Sequence, residues 1–323
     1  LHGRHKTNLM KKLKRKSVRH GPISQKVISA LRKTINRKVI DISEWKNAKI
    51  HADNLEKSVI TDKDLSELDP LHGVYAYAQN KLSVLVEQLD ELPALSKLTN
   101  AYAHAQDLYL PSGPPFSPLT KSYFTCWGFF DLCVGIKKES LGTVVIDVCR
   151  AINVDQTLIT LFECMQNSRM GFYIHEGFCD GFVLLREFIT QKQIKVIVPS
   201  GYSGESGQIW LARIMPEPFP ELNYGYSVVF ITPYVISEMQ NGRFVFSSET
   251  NWISFFERNL VKTKIKDTKK AYEFLMKFGL NRHYWNEYLF EGYVNYKDDM
   301  ILLAGFPDIS VSRPHSEENS ELF

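Results

Sequence analysis

The stretch Gly171–Met215, GFYIHEGFCDGFVLLREFITQKQIKVIVPSGYSGESGQIWLARIM, continued by YSVVFITPYVI at Tyr226–Ile236, decides how this chain is read. Short runs of β-branched and aromatic residues alternate in it with Gly, Pro, Asn and Ser, the pattern of half-buried strands joined by turns. The spacing predicts about six strands, FYIHEG, FVLLREFIT, IKVIVP, QIWLARIMP, YSVVFI and a pair around MQNGRFVF. Asn241-Gly242 is the strongest hairpin signal, because a type I′ turn needs positive φ at both central residues. Residues 171–248 are therefore expected to form the β-rich domain of an α+β protein. A small barrel or an antiparallel sheet would sit there, with helical sections on both sides.

On the N-terminal side, residues 71–170 read as helical. Tyr75, Ala78, Leu82, Leu85, Leu89 and Leu92 recur at spacings of three and four, and Pro93 breaks the run before Leu95, Leu98, Tyr102, Ala105 and Tyr109 continue it. Fewer than about three full heptads precede the break, so the seam suits burial in its own domain. A homodimer through residues 71–109 is the alternative. The strap 110–120 holds Pro111, Pro114, Pro115 and Pro118, and these four prolines exclude regular helix between Pro111 and Pro118. Two readings stay open for Leu141–Met170: a strand at TVVIDV, or two helices with INVD as the turn. The second has the outline of a helix-turn-helix, yet its second helix offers Asp155 and Glu163 and no cation before Arg169, the wrong sign for phosphate.

On the C-terminal side, residues 249–309 read as a helical layer with helices at Asn251–Val261, Lys269–Phe278 and His283–Tyr296. Thr250 and Thr268 are the expected caps. Asp299–Gly305 reads as a short buried strand or helix end, and 310–323 as a flexible tail.

Charge divides the chain differently. Of 39 Lys and Arg, thirteen fall in residues 1–40, which contain no Asp or Glu; residues 41–323 then hold 26 basic against 36 acidic residues, a net of −10. A basic arm (1–40) joins an acidic body through a linker (41–70). Lys11, Lys12, Lys14, Arg15, Lys16 and Arg19 are its densest part and the candidate anion-binding residues. From Ile23 on, apolar residues fall mostly four apart with Lys and Arg between them, a basic amphipathic helix. Such an arm suits nucleic acid, an anionic membrane, a mitochondrial transit role, or the body's own carboxylates.

Chemistry is harder to place. His175, Glu176, Cys179 and Asp180 form the densest polar cluster, with His175 and Glu176 the candidate acid-base residues. Neighbours in a strand face opposite sides, so the pair converges only if a bulge intervenes. His283 and Glu287 stand one helical turn apart, a pair that also suits an ordinary surface hydrogen bond. The loop Ser200–Gly207 is Gly-rich, but a strand follows it where a phosphate cradle needs a helix. Five cysteines without a Cys-x-x-Cys pair indicate neither a disulfide framework nor a zinc knuckle, and no cofactor or metal is expected. No apolar run reaches the roughly 18 residues a transmembrane helix requires, and no signal peptide is read. The resulting expectation is a cytoplasmic, non-enzymatic binding or scaffold protein whose arm engages an anionic partner, nucleic acid first. A hydrolase or nuclease using His175 with a nearby carboxylate is the alternative from another class.

Overall fold

The alternating runs of the centre close on themselves. In the computed structural model, which describes residues 20–36, 46, 50, 61–89, 92–109, 118–240, 243–246, 248–279, 293–297 and 300–303, they form β1 (Met170–Cys179), β2 (Phe182–Glu187), β3 (Gln193–Ile197), β4 (Ile209–Met215) and β5 (Ser227–Val229). β1 pairs antiparallel with β2 and with β4, β2 with β3, and β4 with β5. β3 runs parallel to β5, which completes a closed, mixed, five-stranded barrel of the Greek-key kind. β6 (Tyr234–Gln240) takes the rest of the β4 edge through Trp210 and Leu211. Beyond it lie β7 (Arg243–Phe246), β8 (Tyr293–Lys297) and β9 (Met300–Leu303), with β7 on β6, β9 parallel to β6, and β8 on β9.

Among the described residues, seven helices precede the barrel: α1 (Pro22–Ile35), α2 (Asp62–Ser66), α3 (Pro70–Leu89), α4 (Ser96–Tyr109), α5 (Pro118–Phe130), α6 (Leu141–Ala151) and α7 (Gln156–Asn167). Among the described residues two follow it, α8 (Glu249–Leu260) and α9 (Thr268–Phe278). The period-two pattern of the strands sorts their side chains into two cores. Tyr173, Val183, Leu185, Val196, Trp210 and Ala212 fill the barrel. Phe172, Ile174, Ile209, Leu211 and Met215 point outward into a larger core shared with the helices. The α3–α4 seam ends in that larger core: Leu71, Tyr75, Ala78, Leu82, Leu89, Leu95 and Leu98 are all buried within the chain itself.

Several expectations change in detail. TVVIDV is helical, in α6, because Ser140 and Thr143 form a reciprocal capping box and Val144, Val145, Val148 and Cys149 bury one face; packing outweighs the strand propensity of β-branched residues. The third C-terminal helix is corrected at its end: residues 293–297 are strand β8, whose Tyr-Val-Asn-Tyr run has β9 as a partner edge. Residues 280–292, with His283 and Glu287, lie outside the described residues. Met300–Leu303 is a strand. Ser248 caps α8 in place of Thr250, and Asp267 caps α9 in place of Thr268. Asn241-Gly242 lies outside the described residues; Gln240 and Arg243, on either side of it, are paired in register. Asp180-Gly181 joins β1 to β2, with φ of 53° and 82°.

One charged side chain breaks the apolar rule of the outer barrel face. Arg213 of β4 is fully buried there; its guanidinium is bonded to Asp131, at the end of α5, and to Ser168 Oγ at 3.0 Å. Lys277 of α9 donates to the same Asp131 at 2.6 Å and to the carbonyls of Gln166 (2.6 Å) and Ser168 (2.8 Å). Two cations thus share one carboxylate away from water. Burial, with Arg213 repelling and Asp131 opposing, brings Lys277 down from 10.5 to about 8.

The sign follows from linkage. Between about 8 and 10.5 the unfolded chain holds a proton on this lysine that the folded chain has released, so its contribution to stability rises with pH across that window. Tyr123 and Cys126, also beside Asp131 and Arg213, have raised values and act in the opposite direction at alkaline pH. Urea unfolding of wild type and Lys277→Met, compared at about pH 7.5 and about pH 9.5, is expected to show wild type gaining stability relative to the variant at the higher pH. A constant difference would mean that Lys277 keeps its ordinary proton affinity when folded.

Candidate functional site: an anchored basic helix and a barrel with one open end

The arm's helix is fastened to the body by its N-terminus. Pro22 occupies the first turn, where a missing N–H costs nothing, and no side chain of α1 itself caps it. Glu139 does so from 116 residues away: its carboxylate accepts from Ile23 N at 3.0 and 3.1 Å and from Ser24 N at 2.9 Å. A nearly buried carboxylate at the positive end of a helix satisfies orphan donors and the macrodipole together. Gly21 lies against it so closely that a Cβ there would overlap the Glu139 carboxyl. Val27 and Ile28 are buried, Ile23 and Leu31 pack on the same core, and His20 Nδ1 lies 3.1 Å from Asp147 of α6.

What remains outside is the basic face. Lys26, Arg32 and Lys33 are exposed, and no described carboxylate pairs with any of them. A depression of about 580 Å³ runs along the helix, lined by His20, Gln25, Ile28, Ser29, Arg32, Lys33 and Asn36. Lys11, Lys12, Lys14, Arg15, Lys16 and Arg19 lie outside the described residues.

The polar cluster of β1 is taken apart by the fold. A bulge does fall between His175 and Gly177, yet His175 turns into the barrel while Glu176 stays on the surface. His175 is 1% exposed, its Nε2 lies 2.8 Å from the Ser203 carbonyl, and its ring meets Trp210 edge-on at 5.0 Å. Because a carbonyl only accepts, the proton sits on Nε2. Glu176 accepts from Arg186 Nε at 2.7 Å, in a chain that continues to Glu249. Asp180 serves the β1–β2 turn, Glu187 lies at the opposite end of the barrel, and Asp131 belongs to the Arg213 cluster outside the barrel wall. No described carboxylate meets His175.

Loop Ser200–Gly207 is a plug. Tyr202 packs on Trp210 at 5.6 Å and donates from its hydroxyl to Gln208 Oε1 at 3.1 Å, the same oxygen that accepts from Trp210 Nε1 at 3.0 Å. Gly204, at φ 63°, lies where any Cβ would overlap the indole of Trp210. Its glycine permits a close approach of backbone to ring. The plug closes the barrel end at which β3 finishes and β4 begins.

The other end is open, as a cavity of about 650 Å³. On its wall Arg169 grips Glu187 through two hydrogen bonds, of 2.7 and 3.3 Å, and Thr190 Oγ1 donates to the same carboxylate. Tyr173, from the barrel lining, is bonded to Glu187, and its hydroxyl fills the place of a Cβ at Gly171. Burial, then the neighbouring Glu187 charge, pushes that hydroxyl above the ordinary tyrosine range, so it stays protonated. Cys164 also faces the cavity, and burial followed by Glu163 pushes its thiol up, away from the reactive thiolate. These residues come from two stretches of the chain, 164–173 and 187–190, and no local spacing in the sequence announces that they meet. Among the described residues, no group of three His, Cys, Asp or Glu is arranged to hold a metal ion.

No protein-family model, curated protein or solved structure matches the chain.

Glu139→Ala is expected to cost about 1–3 kcal/mol, since it leaves two helix-terminal N–H groups without their partner. Gly21→Ala should act on the same contact by displacing the carboxylate. Hydrogen exchange across residues 22–35 should accelerate in both variants while barrel amides stay protected. Unchanged exchange in α1 would mean that Glu139 does not anchor the arm.

Proposed function

We propose that this chain is a non-enzymatic, cytoplasmic binding protein whose basic N-terminal segment engages an anionic partner, with nucleic acid the partner favoured. The observation that carries this reading is the orientation of α1. Its apolar stripe is spent on the body, and Lys26, Arg32 and Lys33 face outward unpaired among the described residues, although the body carries an acidic excess. A helix that lay in a membrane surface would need that apolar stripe for the lipid. Phosphates need only the charges, and Gln25, Ser29 and Asn36 beside them add neutral hydrogen-bonding groups. Eight further cations precede α1 in residues 1–19, continuing the same charge. All five cysteines are free, which suits a reducing compartment, and no described helix is long and apolar enough to cross a membrane.

Salt dependence tests the proposal. Fluorescence anisotropy with a labelled duplex, over a series of NaCl concentrations, should give log K falling linearly with log salt. Replacing Lys26, Arg32 and Lys33 by Gln should flatten that slope by about 2 to 3, at roughly 0.9 per lost phosphate contact. Replacing Lys11, Lys12, Lys14, Arg15, Lys16 and Arg19 by Gln in the full chain should flatten it further. Absence of salt-sensitive binding, or slopes equal to wild type, would reject the proposal.

A further inference from the structure

The open end of the barrel has the makings of a second site, independent of the basic helix. Its wall and rim differ in character. On the wall, the acceptors are already used: Glu187 takes two bonds from Arg169 and one from Thr190, is bonded to Tyr173, and is 3% exposed. The Arg169–Glu187 pair is charge-neutral, so it sets the shape of the wall without drawing ions to it. The apolar part of the lining is provided by the Tyr173 ring, Ile194 and Ile214, beside the polar Asn167, Ser168 and Ser227.

The rim is different. Lys192, beside the start of β3, and Lys269, in the first turn of α9, both face the cavity, are exposed, and have no side-chain partner among the described residues. Against them stands one rim carboxylate, Glu273. Net positive charge at the mouth of a cavity with low-dielectric walls focuses attraction on an anion. The volume of about 650 Å³ lies within the range of small-molecule sites, and barrel mouths are among the places where such sites occur.

We propose that this mouth binds a small organic anion, its carboxylate or phosphate held by Lys192 and Lys269 and its apolar body lying against Tyr173, Ile194 and Ile214. Two charged ends would meet Glu273 as well, so a singly headed anion fits best. Nothing in this arrangement activates a nucleophile: the Cys164 thiol is held protonated and the Tyr173 hydroxyl likewise.

The test uses the full-length chain with hexanoate and phenyl phosphate as probes, one for each headgroup, in calorimetric titrations up to about 10 mM. Peptide-resolved alkylation of Cys164, which faces the same cavity, gives a local readout. At least one probe is expected to bind saturably and to slow modification of Cys164, leaving exposed Cys179 unaffected. Lys192→Gln combined with Lys269→Gln should weaken binding by about 10-fold or more, since both charge-assisted contacts are lost. The variant lacking Lys26, Arg32 and Lys33 should bind the probes as wild type does, which separates this site from the basic helix. Failure of both probes to bind, or unchanged affinity in the Lys192/Lys269 variant, would overturn the proposal.

Discussion

The guanidinium of Arg213 sits where a strand residue facing helices is ordinarily apolar, and the assembly of barrel and helices turns on how it is satisfied. Its carboxylate partner comes from the end of α5, its hydroxyl partner from the α7–β1 junction, and the lysine that shares the carboxylate from α9. An arginine in this position without Asp131 would be a buried, uncompensated charge, which is far more costly than the pair is beneficial. The cluster ties the helices before the barrel and the helix after it to β4. The main apolar core, with Phe172, Phe256 and Tyr272 in mutual contact, provides the bulk of the burial around it.

Closure gives the barrel its two unlike ends. β4 pairs with β1 along its length but divides its other edge between β5 and β6, so the ring is complete only near the Glu187 end. At the other end a loop does the sealing, with Tyr202, Gln208, His175 and Trp210 interlocked through a buried amide oxygen and stacked rings. A sealed end makes the opposite mouth a blind pocket. Polar groups are tolerated in its wall because Arg169, Glu187, Thr190 and Tyr173 satisfy one another.

The basic helix belongs to neither end. Its attachment combines an apolar stripe with a carboxylate at its N-terminus, two interactions that leave its long cationic side chains uninvolved. The charge of Lys26, Arg32 and Lys33 is thereby held at a defined place on an acidic molecule. A fully tethered but undocked arm would lack that feature.

Much of the architecture was legible in the residues. Period-two alternation announced the strands of the barrel, and three-four spacing announced α3, α4 and the helical part of the arm, because those periods follow from backbone geometry and hold wherever one face is buried. Pro22, Pro93 and the Asp180-Gly181 turn act through local sterics in the same way, although the last was taken for part of a polar cluster. The strand sends the adjacent His175 and Glu176 to opposite faces, as strand geometry requires, and of the two readings open for Leu141–Met170 capping and burial decide for helices over the strand propensity of TVVIDV. Tertiary structure decided everything that depends on residues far apart. Glu139 reaches α1 across 116 positions, Lys277 reaches Asp131 across 146, and the mouth joins Arg169, Glu187, Lys192 and Lys269 from different elements. Spacing along a chain encodes the direction a side chain takes from its own element; which side chains then meet is set by how the elements pack, and only the closed barrel specifies that.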